Sequence, residues 1–287
     1  MQANTDLQDS RLANAWAELH NYAVAGNPLH ADSYRLAFAD PEFMLRRETR
    51  GIRFQLELLK PELEQADQGI EHTVVVYGSA RFVAPEDAAE QLAEAQASGD
   101  AERIARAERA VKNAYYYDQA RRFARHVAEY SQTRPPAERL YICTGGGPGI
   151  MEAANRGAHD AGAPNIGLNI TLPHEQSGNK YITPSLSFKF HYFALRKMHF
   201  MMRAKALVLF PGGFGTLDEL FEVLTLVQTG KAKAAPIVLF GSEFWKRLIN
   251  FDALVEQGTI SQGDLKLFHY CDDPAEAWAI VRAFYEL

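Results

Sequence analysis

Cysteine is scarce in this sequence: Cys143 and Cys271 are the two in 287 residues. Neither belongs to a paired motif, so a disulfide framework is excluded and the cytoplasm is the expected compartment. Long apolar runs are missing as well, and no segment approaches the ~18 apolar residues of a membrane span. The stretch Met1 to Asp6 carries neither a basic region nor an apolar signal core. Positive charge is not in excess. A formal net charge of −6 argues against nucleic acid as a partner and confines any phosphate binding to a local site. The nine histidines show no metal-ligand spacing, so no metal is expected. No G-x-S-x-G nucleophile elbow occurs.

Two nucleotide fingerprints are absent too. A dinucleotide site needs G-x-G-x-x-G and an acidic residue about twenty residues on. Here Gly145-x-Gly147 is followed by Ile150 where the third glycine belongs, and the next strand ends in Asn169-Ile170-Thr171. A kinase P-loop needs a lysine after its glycines, and none follows. Pyridoxal chemistry needs a Schiff-base lysine with a partner for the ring nitrogen. Nothing marks Lys189, Lys197 or Lys205 for it. No cofactor is expected.

What is present is a repeated strand–turn–helix pattern. The apolar run Ala206 to Phe210 has the length and branching of a buried strand. It enters Pro211-Gly212-Gly213-Phe214-Gly215-Thr216-Leu217-Asp218-Glu219, after which Leu220, Phe221, Leu224 and Val227 recur at helical spacing. Backbone N–H groups left free at such a helix start attract an anion, typically phosphate. A second unit runs from Leu140-Tyr141-Ile142-Cys143 into Thr144-Gly145-Gly146-Gly147-Pro148-Gly149. Its helix shows a small-residue face of Ala153, Ala154, Gly157, Ala158 and Ala161. A third strand, Thr73 to Tyr77, ends in Gly78-Ser79. Such turns at the carboxyl edge of an open sheet predict a ligand crevice.

Residues 8–66 look helical and amphipathic, with Pro28 and Pro41 as breaks. Residues 84–130 alternate Glu with Arg and break at Ser98-Gly99-Asp100, which predicts a solvated helical hairpin rather than a nucleic-acid surface. Further strands are expected at 166–170, 187–192, 206–210 and 236–240, with a short one near 267–270. Strands alternating with helices imply a doubly wound, mostly parallel α/β sheet of Rossmann-like type. The expected division is a helical extension over 1–70 and a nucleotide-binding catalytic domain over 71–287, with a helical insertion at about 84–112.

The pair Arg196-Lys197, the run Pro211 to Glu219 and the run Gly145 to Met151 together resemble the LONELY GUY (LOG) family, also labelled "possible lysine decarboxylase". The resemblance spans roughly residues 72–260. It implies hydrolysis of the N-glycosidic bond of nucleoside 5′-monophosphates, AMP or cytokinin riboside monophosphates, giving free base and ribose 5-phosphate. It implies a catalytic pair of Arg196 and Glu219. Substrate contacts would fall on Glu175, Lys197, the loop from Gly212 to Asp218, and Thr225, with Gly78-Ser79 at the early turn. It also implies a homodimer or a larger homo-oligomer. Gly145, Gly146 and Gly147 join the candidates as a second phosphate loop. Met198 joins as a base contact, although core packing accounts for it equally well. A different class, a non-catalytic nucleotide or molybdenum-cofactor carrier, is similar in scaffold.

Two local readings stay open. Thr216-Leu-Asp-Glu219 fits a capping box, in which Glu219 would bond back to the helix start. Arg196 could hold the 5′-phosphate, a ribose hydroxyl or the departing base.

Overall fold

The computed structural model describes residues 36–171 and 178–286. The chain divides into two compact units at Lys60 and Pro61. Of the helical segment expected over 8–66, the part before residue 36 lies outside the described residues, as does Glu175. In the first unit Asp40 caps a short helix α1 (Pro41–Met44), accepting from the amides of Glu42 and Phe43 at 3.0 and 3.1 Å. Pro41 therefore starts a helix rather than ending one, because the first helical position has no use for the N–H that proline lacks. Helix α2 (Arg50–Asp67) follows, with Pro61 inside it.

The second unit is built on a parallel sheet of seven strands, counted among the described residues: β1 (His72–Tyr77), β2 (Leu140–Thr144), β3 (Asn165–Ile170), β4 (Ser187–Phe190), β5 (Ala204–Leu209), β6 (Ile237–Phe240) and β7 (His269–Cys271). Their spatial order is β4-β3-β2-β1-β5-β6-β7. Strands β2 and β6 are buried along their full length, and β1 from Thr73 onward, as expected of parallel strands covered on both faces. The order reverses between β1 and β5, and a doubly wound sheet opens a crevice at such a point, beyond the strands' carboxyl ends.

Three strand boundaries differ from expectation by two residues, and the first is the start of β5 at Ala204 rather than 206. The fourth strand stops at Phe190, because Tyr192 already caps the next helix. The last strand begins at His269, since Gln262–Leu267 winds into a 3-10 helix whose Ser261 and Asp264 form a reciprocal cap.

The hairpin breaks where the sequence indicates. Helix α3 (Pro85–Ser98) ends on Gly99 at φ 67°, and Asp100 caps α4 (Ala101–Gln132). The hairpin is not solvated throughout, however. The second half of α4 buries Tyr117, Phe123, Ala124 and Val127 against Val74, Val76, Ile142 and Val208 of the sheet. Helix α5 (Ile150–Asp160) packs beside it. The approach is close because Gly157 lies against the backbone carbonyl of Arg121, which a Cβ at 157 would strike while lying 3.0 Å from Ala124 Cβ. Gly157→Ala must push the helices apart, and overpacking of this kind costs about 1–3 kcal/mol. The expected outcome is a lower urea midpoint with an unchanged m-value, read by circular dichroism.

Candidate functional site

Three turns meet at the crevice and are sewn together by backbone hydrogen bonds. The Ser79 amide donates to Pro211 O at 3.0 Å, and Ser79 O accepts from the Ile150 amide at 3.0 Å. Gly78 has to be bare, since a Cβ there would lie 2.6 Å from Ile150 Cγ2. The turn after β1 is thereby clamped between the turns after β5 and β2, and the cleft mouth is fixed by main-chain geometry.

The turn after β5 leads into α7 (Phe214–Gln228), counted after α6 (Phe193–Met202). Gly213 is the N-cap, extended at φ −95°, and no side chain caps the helix. Among the described residues the amides of Gly213, Phe214 and Gly215 have no acceptor. They sit where the helix dipole is positive, as an anion site requires. Thr216 is the third residue of the helix rather than its cap, and its side chain packs over Gly212. The capping-box reading of Glu219 is therefore corrected: the helix begins two residues earlier than Thr216, so Glu219 lies a turn inside it.

Glu219 is 7% exposed and lines the cleft. Burial pushes its carboxyl up from 4.5 to about 7, against the pull of the nearby Arg196 and Lys197 cations. A half-ionised carboxylate at neutral pH, buried at the edge of a cleft, suits proton transfer or the stabilisation of a developing positive charge.

Arg196 lies in mid-helix on α6, not at a solvated helix end. Its Nε donates to Leu168 O on β3 at 2.6 Å, and its guanidinium carbon lies 5.0 Å from the centre of the Phe200 ring. The planar fork passes over Gly145, where any Cβ would strike it. Beneath it Phe200 meets Tyr77 edge-on at 5.0 Å. The Tyr77 hydroxyl is buried without a hydrogen-bond partner among the described residues, and burial together with Glu219 raises its pKa.

The cleft has a volume of about 1070 Å³. It brings together Gly78, Ser79, Gly145, Arg196, Gly212, Gly213, Phe214, Gly215, Thr216, Asp218 and Glu219. The remaining candidates lie elsewhere. Gly146 and Gly147 are outside the lining, and the Gly146 amide and both carbonyls are already used. The Gly146 amide donates to Thr144 Oγ1, and Asn179 Nδ2 donates to both carbonyls at 3.2 and 3.1 Å. Asn179 also reaches Asn155, itself bonded to Thr144 and Asn165, so a buried amide network fixes this turn. Lys197 is held by Asp218 and Glu222 at 2.7 and 2.8 Å, tying α6 to α7. Met198 is half exposed on α6, and the exposed Thr225 donates its hydroxyl to Phe221 O within α7.

The cleft also recruits residues not singled out from the sequence. Tyr77, Phe82 and Met151 join its wall, and Arg81, Arg109, Lys112, Asn113, Tyr116 and Arg247 join its outer end. The positions 109, 112, 113 and 116 share one helical face at i, i+3, i+4 and i+7. That spacing is the signal a sequence carries. Interleaved glutamates hid it by making the segment read as solvated all round. No helix among the described residues is long and apolar enough to cross a membrane.

Residues 151–281 match a protein family described as "Possible lysine decarboxylase". The matched stretch begins after the Gly145 loop and takes in Arg196 and the whole Pro211–Glu219 run. The chain is 32% identical over 120 residues to the cytokinin riboside 5′-monophosphate phosphoribohydrolase LOG3 of Arabidopsis thaliana, covering 41% of this chain and 54% of that one. It is 29% identical over 135 residues to a rice protein, Oryza sativa subsp. japonica, titled "Probable cytokinin riboside 5'-monophosphate phosphoribohydrolase LOG4", covering 46% and 57%. The chain thus spans a little over half the length of these curated relatives. Among solved structures it is similar to a molybdenum cofactor binding protein of Rippkaea orientalis at TM-score 0.45 and 15% identity, over 75% of this chain and 98% of that one. A likeness at that level says nothing of function.

Proposed function

We propose that this chain, whose residues 151–281 match the family described as "Possible lysine decarboxylase", hydrolyses the N-glycosidic bond of nucleoside 5′-monophosphates to free base and ribose 5-phosphate. AMP and cytokinin riboside monophosphates are the substrates the reading favours. The observation that carries it is the pairing, in one cleft, of a helix start with unengaged amides and a buried carboxylate with its pKa raised to about 7. The 5′-phosphate would accept from the amides of Gly213, Phe214 and Gly215, which sets the ribose inward, toward Glu219. Breaking the ribosyl–base bond builds positive charge on the sugar. Ionised Glu219 would stabilise that charge or orient the attacking water. Arg196, which lines the cleft over Gly145, would bind the ribose hydroxyls or the leaving base. Decarboxylation of an amino acid through a lysine Schiff base finds no support: Lys197 is neutralised by two carboxylates and does not line the cleft.

The exposed apolar side chains Phe193, Met198, Met202 and Phe221 on the joined helices α6 and α7 support association into a homodimer or larger homo-oligomer.

The test is release of adenine from AMP, followed by chromatography across pH. The active form needs ionised Glu219, so kcat/KM should climb about tenfold per pH unit below 7 and level off above it. Tight AMP binding with no base released at any pH would instead favour the carrier reading. A rate that is flat from pH 5 to 8 would remove Glu219 from the chemistry.

A further inference from the structure

The outer end of the cleft has a chemistry that a nucleoside monophosphate does not use. Arg109 and Lys112 come from α4, Arg81 from the turn after β1 and Arg247 from α8 (Ser242–Leu248). Among the described residues none of these four side chains makes an ion pair or a hydrogen bond. Farther along α4, Arg121, Arg122 and Arg125 are each matched by a carboxylate at 2.6–2.8 Å. Four unmatched cations at one cleft mouth, in a chain of net charge −6, form a local concentration of positive charge. Of the cleft's carboxylates, Glu243 stands one turn before Arg247 on α8, while Asp218 is engaged by Lys197.

The position of the cluster defines what it would hold. Tyr116 stands on the same face of α4 as Arg109 and Lys112. Its ring and Pro211 lie side by side, 3.0 and 3.2 Å from where a Cβ on Gly241 would be. Phe82, next to Arg81, stacks on Tyr116 with ring centres 5.9 Å apart. Tyr116 thus brings this face of α4 beside Pro211, two residues before the first of the free amides at the start of α7. An anion bound among these cations would share the cleft with a phosphate held by Gly213 to Gly215. The volume of about 1070 Å³ is at the upper end of the ~300–1,000 Å³ common for small-molecule pockets.

We infer that the outer end of the cleft is a second phosphate site, so that the chain binds nucleoside 5′-diphosphates more tightly than the corresponding monophosphates. The inference rests on the reading that the start of α7 holds the 5′-phosphate. Arginine forks and a lysine ammonium give charge-assisted bonds to the added phosphate oxygens. The helical insertion supplies two of the four cations, and it thereby selects ligand charge.

Calorimetric titration of the full chain with AMP and with ADP tests this. The expected result is ADP affinity at least about tenfold above that of AMP, with the gap narrowing at high salt as ionic contacts are screened. The variant Arg109→Ala/Lys112→Ala should lower ADP affinity about tenfold more than AMP affinity, and Arg109→Lys should retain most of the preference. Equal binding of AMP and ADP by the unaltered chain overturns the site, as does a double variant that weakens both nucleotides alike. Base release is a separate readout. A preference for ADP in a protein that frees no adenine from AMP sustains the phosphate site and removes the hydrolase reading, and base release without that preference does the reverse.

Discussion

Glu219→Gln should retain the fold, bind AMP and lose about a thousandfold of its base-release rate, in the middle of the 10²–10⁴ range for a positioned acid or base. The substitution is nearly isosteric, and the carboxylate caps no helix, so the loss would report the chemistry at the anomeric carbon. Stability gives an independent check. The carboxyl titrates at about 7 in the folded chain against 4.5 in the reference state. Between those values the folded protein binds the extra proton, so the stabilising contribution is present below 4.5 and is lost as pH rises through 7. The Gln variant has no such loss. Its melting temperature should exceed that of the parent at pH 8, and the gap should close toward pH 5. A Gln variant with near-normal turnover would leave Glu219 as a buried acid of structural interest alone.

Arg196→Ala should lower kcat/KM by about 10² to 10³, the range for removing one preorganised electrostatic donor. Two further consequences separate a role in the chemistry from one in folding. The guanidinium draws the Glu219 pKa downward, so its removal should move the rising limb of the pH–rate profile to higher pH. Loss of the bond to Leu168 O leaves a partly buried carbonyl unpaired, at about 1–3 kcal/mol, which a urea melt would register. Arg196→Lys keeps the charge and loses the fork. It should restore the position of the pH limb while recovering little of the rate. An unshifted limb in Arg196→Ala would detach the arginine from Glu219.

The chain's order of strands and helices was legible because parallel strands buried on both faces read as apolar runs, and glycine turns punctuate them. The Pro211–Glu219 loop could be selected for the same reason, since a strand end followed by glycines and a helix start is a local pattern, whereas Arg196 and the role of Glu219 came from the family resemblance. The Thr216–Glu219 box shows the limit of such patterns. The motif fits a cap, yet extended Gly213 starts the helix sooner and turns Glu219 into the cleft. Gly146 and Gly147 show another, since Thr144 accepts from the Gly146 amide and Asn179 donates to both carbonyls, which holds the turn outside the cleft lining. Lys197 was adjacent to Arg196 in sequence and points to different partners, because successive residues on a helix diverge by about 100°.

By itself the sequence determined the sheet, its turns and the types of residue at the strand ends, since these follow from local hydrophobicity and backbone freedom. Which side chains share the cleft was decided by tertiary packing alone. Arg109 and Lys112 are separated from Pro211 by about a hundred residues, and only the burial of α4 against the sheet brings their face of the helix to the phosphate loop.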